Sequence, residues 1–167
     1  GFAKNGKVNA VDLYLVQSNG PNSGFWDFTD APAAVSLCYQ PNAMRYRGVP
    51  VLTNTPPGGP QRGPGENQIA CAFEPFLDKA AAELGIDRLE IRKLNAPDND
   101  AIFDGHQNPV TSAYQRECLT NGAEKFGWTE KSKRSGERNG SKVIGVGIGQ
   151  AYHSAGFAGF DGLVRIT

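Results

Sequence analysis

Cysteine, histidine and net charge are all scarce in this chain of 167 residues. Its three cysteines, Cys38, Cys71 and Cys118, include no Cys-x-x-Cys pair. That spacing excludes an iron–sulfur pattern, and an odd count argues against a disulfide framework. Reduced, mostly buried thiols and a cytoplasmic location are expected instead. His106 and His153 are the only histidines, too few to favour a zinc site. Lys plus Arg, 17 in number, cancel 17 Asp plus Glu, and no polybasic run interleaves with aromatics. This argues against a dedicated nucleic-acid binder, which needs a basic face. No apolar run approaches the roughly 18 residues that cross a bilayer, and no signal-peptide pattern is visible. An opening Gly1 without Met suggests a trimmed or tagged chain, or a piece cut from something longer.

Glycine (21) and proline (11) are abundant, together about a fifth of the chain. They are clustered, which marks elaborate loops rather than low complexity. Residues 7–16 are rich in β-branched and aromatic residues and predict a strand, preceded by an Asn5-Gly6 pair that favours a type I′ hairpin turn. Asp30 to Leu37 predicts a short helix with Pro32 in its first turn. Met44 to Leu52 predicts a second extended segment, confined to an edge by Pro50. After the densest Pro/Gly stretch the period changes: Ile69, Phe73, Phe76, Leu77, Ala80 and Leu84 fall at helical spacing. They predict a helix from Glu66 to Leu84, kinked at Pro75 and stopped by Gly85. Asp87 caps a second helix through Leu94. A polar loop over 95–110 and a third helix, capped by Ser112 and ending at Gly127, follow. Lys131 to Ser141 reads as a solvated charged linker, favoured over a phosphate site. Val143 to Tyr152 and Leu163 to Thr167 read as strands. The class is α+β: strands, then a helical segment, then strands.

The stretch Thr53 to Gly65 is the one feature composition leaves unexplained. Proline stiffens its path and glycine permits close approach, while Arg62 sits among them with a forked donor set suited to an anion. The N–H groups around Gly63 to Asn67 lie at a helix N-terminus, which favours negative charge. Two readings stay open on these residues: an anion-gripping loop, or a plain connection whose Arg pairs with Glu66. Gly145-Val146-Gly147-Ile148-Gly149 lacks the following helix of a nucleotide loop, so small residues in a closely packed strand are favoured. His153 is expected to be a hydrogen-bonded structural residue rather than a base, and Cys71 a buried small residue rather than a nucleophile.

The run Leu52-Thr53-Asn54-Thr55-Pro56-Pro57-Gly58-Gly59-Pro60-Gln61-Arg62-Gly63-Pro64-Gly65, followed by Glu74 to Asn95 with its Arg92-Lys93-Leu94-Asn95 ending, resembles the molybdenum-binding large subunit of the xanthine dehydrogenase and aldehyde oxidoreductase family. The resemblance covers nearly the whole chain and implies one partial molybdopterin-binding domain over residues 1–167: the end of the first cofactor-binding half and the start of the second. It implies that Gln61, Arg62 and Gly63 touch the molybdopterin cofactor. The implied chemistry is hydroxylation of an aldehyde or an N-heterocycle with water as oxygen source. Implied partners are the rest of the large subunit and iron–sulfur and flavin modules, with no nucleic acid and no membrane. The family's upstream glycine-rich loop and its C-terminal general-base Glu fall outside the sequence. This piece alone is therefore expected to hold no cofactor, to be inactive, and to self-associate through strand edges and the apolar Phe157 to Phe160 loop. Pro60-Gln61 replaces the family's Ala-Phe, and Pro64 stands where a Phe covers an aromatic substrate, so a stacking surface is missing. Gly63 stands where carbon monoxide dehydrogenases carry Cys. The competing reading is a non-catalytic or split-subunit module that packs on partner chains.

Overall fold

In the computed structural model, residues 1–22, 27–103, 106–110 and 112–153 are described. The order is α+β throughout, but its opening is a crossover. Strand β1 (Ala10–Ser18) and strand β2 (Ala43–Val51) lie parallel, Ala10 opposite Ala43 and Ser18 opposite Val51, with helix α1 (Ala31–Tyr39) between them. Parallel strands require such a connection. Both strands alternate: Val11, Leu13 and Leu15 turn toward the helices, while Asp12, Tyr14 and Val16 face outward. Pro50 sits where a two-stranded sheet tolerates it, since each strand is an edge.

The N-terminal turn forms with a different geometry from the expected type I′. Phe2 bridges Val8 and the Gly6 N–H donates to the Ala3 carbonyl at 2.9 Å. Only Gly6 is left-handed, at φ 91°, while a type I′ turn needs positive φ at two adjacent residues. A Cβ at Gly6 would lie 2.7 Å from Ile86 Cδ1, so the turn sits flat on the helices.

Helix α2 (Glu66–Leu84) starts and stops where the periodicity places it, closing on Gly85 at φ 68°. It runs through Pro75 as one unbroken helix. Its Ile69, Leu77 and Ala81 meet Ala34, Val35 and Cys38 of α1 in the core, small residues on α1 allowing close approach. Helix α3 (Arg88–Asn95) begins at Asp87, whose Oδ1 accepts from the Leu89 N–H at 2.7 Å, as an N-cap should.

Beyond residue 96 the expectations hold less well. The polar loop contains a small antiparallel pair, β3 (Ile102–Phe103) with β4 (His106–Pro109). Helix α4 (Gln115–Phe126) starts after Ser112, not at it, because Ser112 is itself left-handed at φ 58° and its carbonyl accepts from Tyr114 in a tight turn. Helix α5 (Trp128–Lys131), a 3₁₀ turn, and the hairpin β5 (Arg138–Asn139) with β6 (Lys142–Val143) occupy the charged stretch, which is solvated but folded. The strand expected over Val143 to Tyr152 is extended, with alternating burial, yet pairs with no strand among the described residues beyond Val143. Among the described residues no atom lies within 4 Å of a Cβ placed on Gly145 or Gly147. Leu163 to Thr167 and Phe157 to Phe160 lie outside the described residues. Among the described residues no helix is long and apolar enough to cross a membrane.

Candidate cofactor-binding site

The loop that follows β2 is fastened at its near end by hydroxyls. Thr53 Oγ1 lies 2.8 Å from both Ser18 Oγ and Thr55 Oγ1, and accepts from the Gly20 N–H at 3.2 Å. The Thr53 N–H donates to the Gly20 carbonyl at 2.9 Å. Gly20 is left-handed at φ 78°, and a Cβ there would lie 2.7 Å from Pro57 Cα, so only glycine lets the loop cross this close. Beside it, Asn19 is buried, and its Oδ1 has no hydrogen-bond partner among the described residues.

The far end is fastened to α2. Gly63 and Gly65 have φ of 71° and 76°. The Asn67 side chain donates to the Arg62 carbonyl at 2.6 Å, and its N–H to the Gly63 carbonyl at 3.0 Å. A Cβ on Gly63 would lie 2.9 Å from Asn67 Nδ2. Between these two anchors, residues 54–62 are exposed throughout. The side chains of Gln61 and Arg62 project with no hydrogen bond or ion pair to another described residue, while Gly63 is buried behind them. The plain alternative, an Arg62–Glu66 pair, is not formed. Glu66 is 3% exposed and its Oε2 lies 2.7 Å from His153 Nδ1. His153 is thus hydrogen-bonded as expected, and its carboxylate partner is one that sequence spacing does not reveal.

A second polar cluster lies deeper and carries the Arg-x-x-Asn ending. Arg92, fully buried, donates from Nε and Nη2 to Glu74 Oε2 at 2.9 and 2.7 Å, and its Nη1 lies 2.8 Å from Asp78 Oδ1. Glu74 Oε1 accepts from the Tyr39 hydroxyl at 2.6 Å. Burial, then the Glu74 charge, drives the Tyr39 phenol well above its ordinary value. Asn95 accepts from the Val8 N–H at 2.8 Å and donates to the carbonyls of Gly6 and Ile91 at 3.0 and 2.8 Å. Arg92 and Asn95 are therefore scaffold: one ties α3 to α2, the other ties α3 to the N-terminal turn. A buried guanidinium needs such pairing.

Cys38 is buried, and burial with the nearby Glu74 charge pushes its thiol up to about 12, the opposite of a nucleophile. Cys71 and Cys118 are exposed, which corrects the expectation of mostly buried thiols; all three are free. Cys71 stands two residues from Ile69 on α2, about 200° round the helix and so on the outer face. Among the described residues no cluster of three or more His, Cys, Asp or Glu could hold a metal ion.

The side chains of this loop include donors that can serve an anionic ligand and none that ligate a metal. The profile of the molybdopterin cofactor-binding domain matches residues 1–96. The chain belongs to the molybdopterin cofactor-binding domain family. It is 36% identical over 119 residues to the xanthine dehydrogenase molybdenum-binding subunit of Escherichia coli O157:H7, covering 68% of this chain and 15% of that protein. It is 28% identical over 159 residues to an aldehyde oxidoreductase molybdenum-binding subunit of Escherichia coli K12, covering 92% of this chain and 20% of that one. The aldehyde oxidoreductase structure of Desulfovibrio gigas superposes with a TM-score of 0.68 at 23% identity, over 84% of this chain and 16% of that chain. That of Desulfovibrio desulfuricans gives 0.64 at 24% identity, over 83% and 15%. The chain thus has the fold of part of a molybdopterin-binding subunit and spans a fifth or less of the relatives it matches.

Proposed function

We propose that this chain is the segment of a molybdenum hydroxylase large subunit that presents Gln61, Arg62 and Gly63 to molybdopterin. The observation that carries the reading is Arg62, unpaired among the described residues and held out on a loop anchored at both ends. No acidic residue stands between Thr53 and Gly65, so nothing in the loop competes for its five N–H donors. The residues present therefore fit the phosphate and other anionic groups of the cofactor. Arg62 would bind them as a fork, Gln61 would add an amide, and buried Gly63 would keep the backbone low enough for close approach.

When bound, the molybdenum cofactor supplies a two-electron oxidation in which a C–H bond of an aldehyde or N-heterocycle becomes C–OH with oxygen from water. The two electrons and two protons released need acceptors, and iron–sulfur and flavin partners are proposed for the electrons. The three free thiols support a cytoplasmic parent.

The domain is proposed to be partial. Parallel sheets are normally covered on both faces, yet Tyr14 and Val16 on the outer face of β1 are 54% and 57% exposed. The matched profile ends at residue 96, where a second cofactor-binding half is proposed to begin. The piece alone is expected to be inactive and to self-associate through that face. The deciding experiment is molybdenum and pterin analysis of the full-length parent, wild type against Arg62→Ala. Loss of one charge-assisted fork is expected to lower both contents roughly tenfold; undiminished contents would refute the reading.

A further inference from the structure

The far anchor of the Arg62 loop is built from two distant stretches of chain. Glu66 is the first residue of α2, and its partner His153 lies 87 positions later. An ionised carboxylate only accepts, so facing one, Nδ1 is the ring nitrogen that would donate. The imidazole is 53% exposed while the Glu66 side chain is 4% exposed. Three residues earlier, the Gln150 N–H donates to Glu74 Oε2 at 3.2 Å, and its side chain accepts from Gln115 Nε2 at 2.7 Å. Residues 150–153 therefore run along α2 as a strap, touching it at two positions eight residues apart. The lower contact joins the buried Arg92 cluster. The upper one joins only the first turn of the helix.

A carboxylate in the first turn could interact with the helix's own N–H groups and stabilise it locally. Here its Oε2 is also joined to a distant imidazole. Of the three residues just before it, Gly63 and Gly65 impose little conformational preference of their own, and Pro64 fixes only its own φ. The direction in which Arg62 leaves the helix is consequently set by how that first turn is held, through the Asn67 bond to the Arg62 carbonyl.

We infer that the His153–Glu66 pair is a positioning device: it orients the first turn of α2 and so aims the Arg62 guanidinium at the anionic cofactor. Neither residue touches the cofactor in this scheme. His153 lies outside the matched profile, which ends at residue 96. The loop is thus finished only when the later part of the chain has docked. The inference rests on the reading of Arg62 as a cofactor ligand.

The test uses the full-length parent subunit, measuring molybdenum and pterin per mole together with the thermal midpoint of the same preparations. His153→Phe removes the donor and is expected to lower both contents roughly three- to tenfold, the worth of one hydrogen bond, at a nearly unchanged midpoint. His153→Asn keeps an N–H near the Nδ1 position and is expected to restore them. Full contents in His153→Phe beside depleted Arg62→Ala would overturn the positioning role alone. Contents that fall equally in both His153 variants, in step with the midpoint, would overturn it in favour of plain stability. Full contents in Arg62→Ala would overturn the loop reading and this inference with it.

Discussion

Residues 1–96 and residues 97–153 are built by different rules. The hydrophobic core consists of residues from Val8 to Ile91, with Tyr152 packed against it from the later part. Helix α4 buries none of its residues. The later part is held by polar fastenings: the Trp128 indole N–H to both Asp87 carboxylate oxygens at 3.0 and 3.1 Å, and Arg116 Nε to the Lys93 carbonyl at 3.1 Å. Asp87 thus serves twice, capping α3 and gripping Trp128. The lesson is that the earlier part supplies the folding free energy, while the later part is placed by a few directional bonds and in turn shapes the loop.

The sharpest way to break this contrast is Arg92→Ala. It leaves Glu74 and Asp78 without their buried cation, and a loss of about 3–5 kcal/mol is expected in urea titration. A loss below 1 kcal/mol would show that the earlier part does not depend on this cluster. Alkali probes the same region. The Cys38 thiol is raised from its ordinary 9.0 to about 12, so the unfolded chain gives up this proton first. The associated stability is intact below pH 9 and is lost as pH rises toward 12, an effect of order 2–4 kcal/mol. Cys38→Ala should flatten that slope in pH-dependent denaturation; an unchanged slope would assign it elsewhere. Gly63→Ala sits between the two regimes. Its left-handed φ and the contact with Asn67 predict about 1–2 kcal/mol, seen as a lower thermal midpoint with α2 retained by circular dichroism. In the later part, Glu130→Ala removes only an exposed partner of Lys133, and a change under about 0.5 kcal/mol is expected. A larger change would mean that the later part contributes more than its fastenings suggest.

What was legible in the sequence follows the same division. Helices α2 and α3 announce themselves through local chemistry: a 3.6-residue stripe, Gly85 to stop one and Asp87 to cap the next. The parallel pairing of β1 with β2 has no local signal, because it depends on α1 returning the chain across the same sheet face. Phe76 belongs to the α2 stripe by spacing yet is 65% exposed, since the stripe is wider than the surface available to cover it. Cys71 is exposed despite its apolar neighbours in sequence, because a helix sends those neighbours to other faces. Of the candidate site, the loop and Arg62 were visible as unusual composition. The Glu66–His153 bond was not, because nothing links residues 87 apart except the fold itself. Ser112 failed as a cap because its own backbone is spent on a turn.

Asn95 closes the first unit by bonding Val8 and Gly6, 87 and 89 positions upstream. During translation this latch exists only after Asn95 has cleared the ribosomal exit tunnel. Until then the N-terminal turn lacks its bonds to α3. Stalled nascent chains ending shortly before and shortly after that point are expected to differ in protease resistance over residues 1–96.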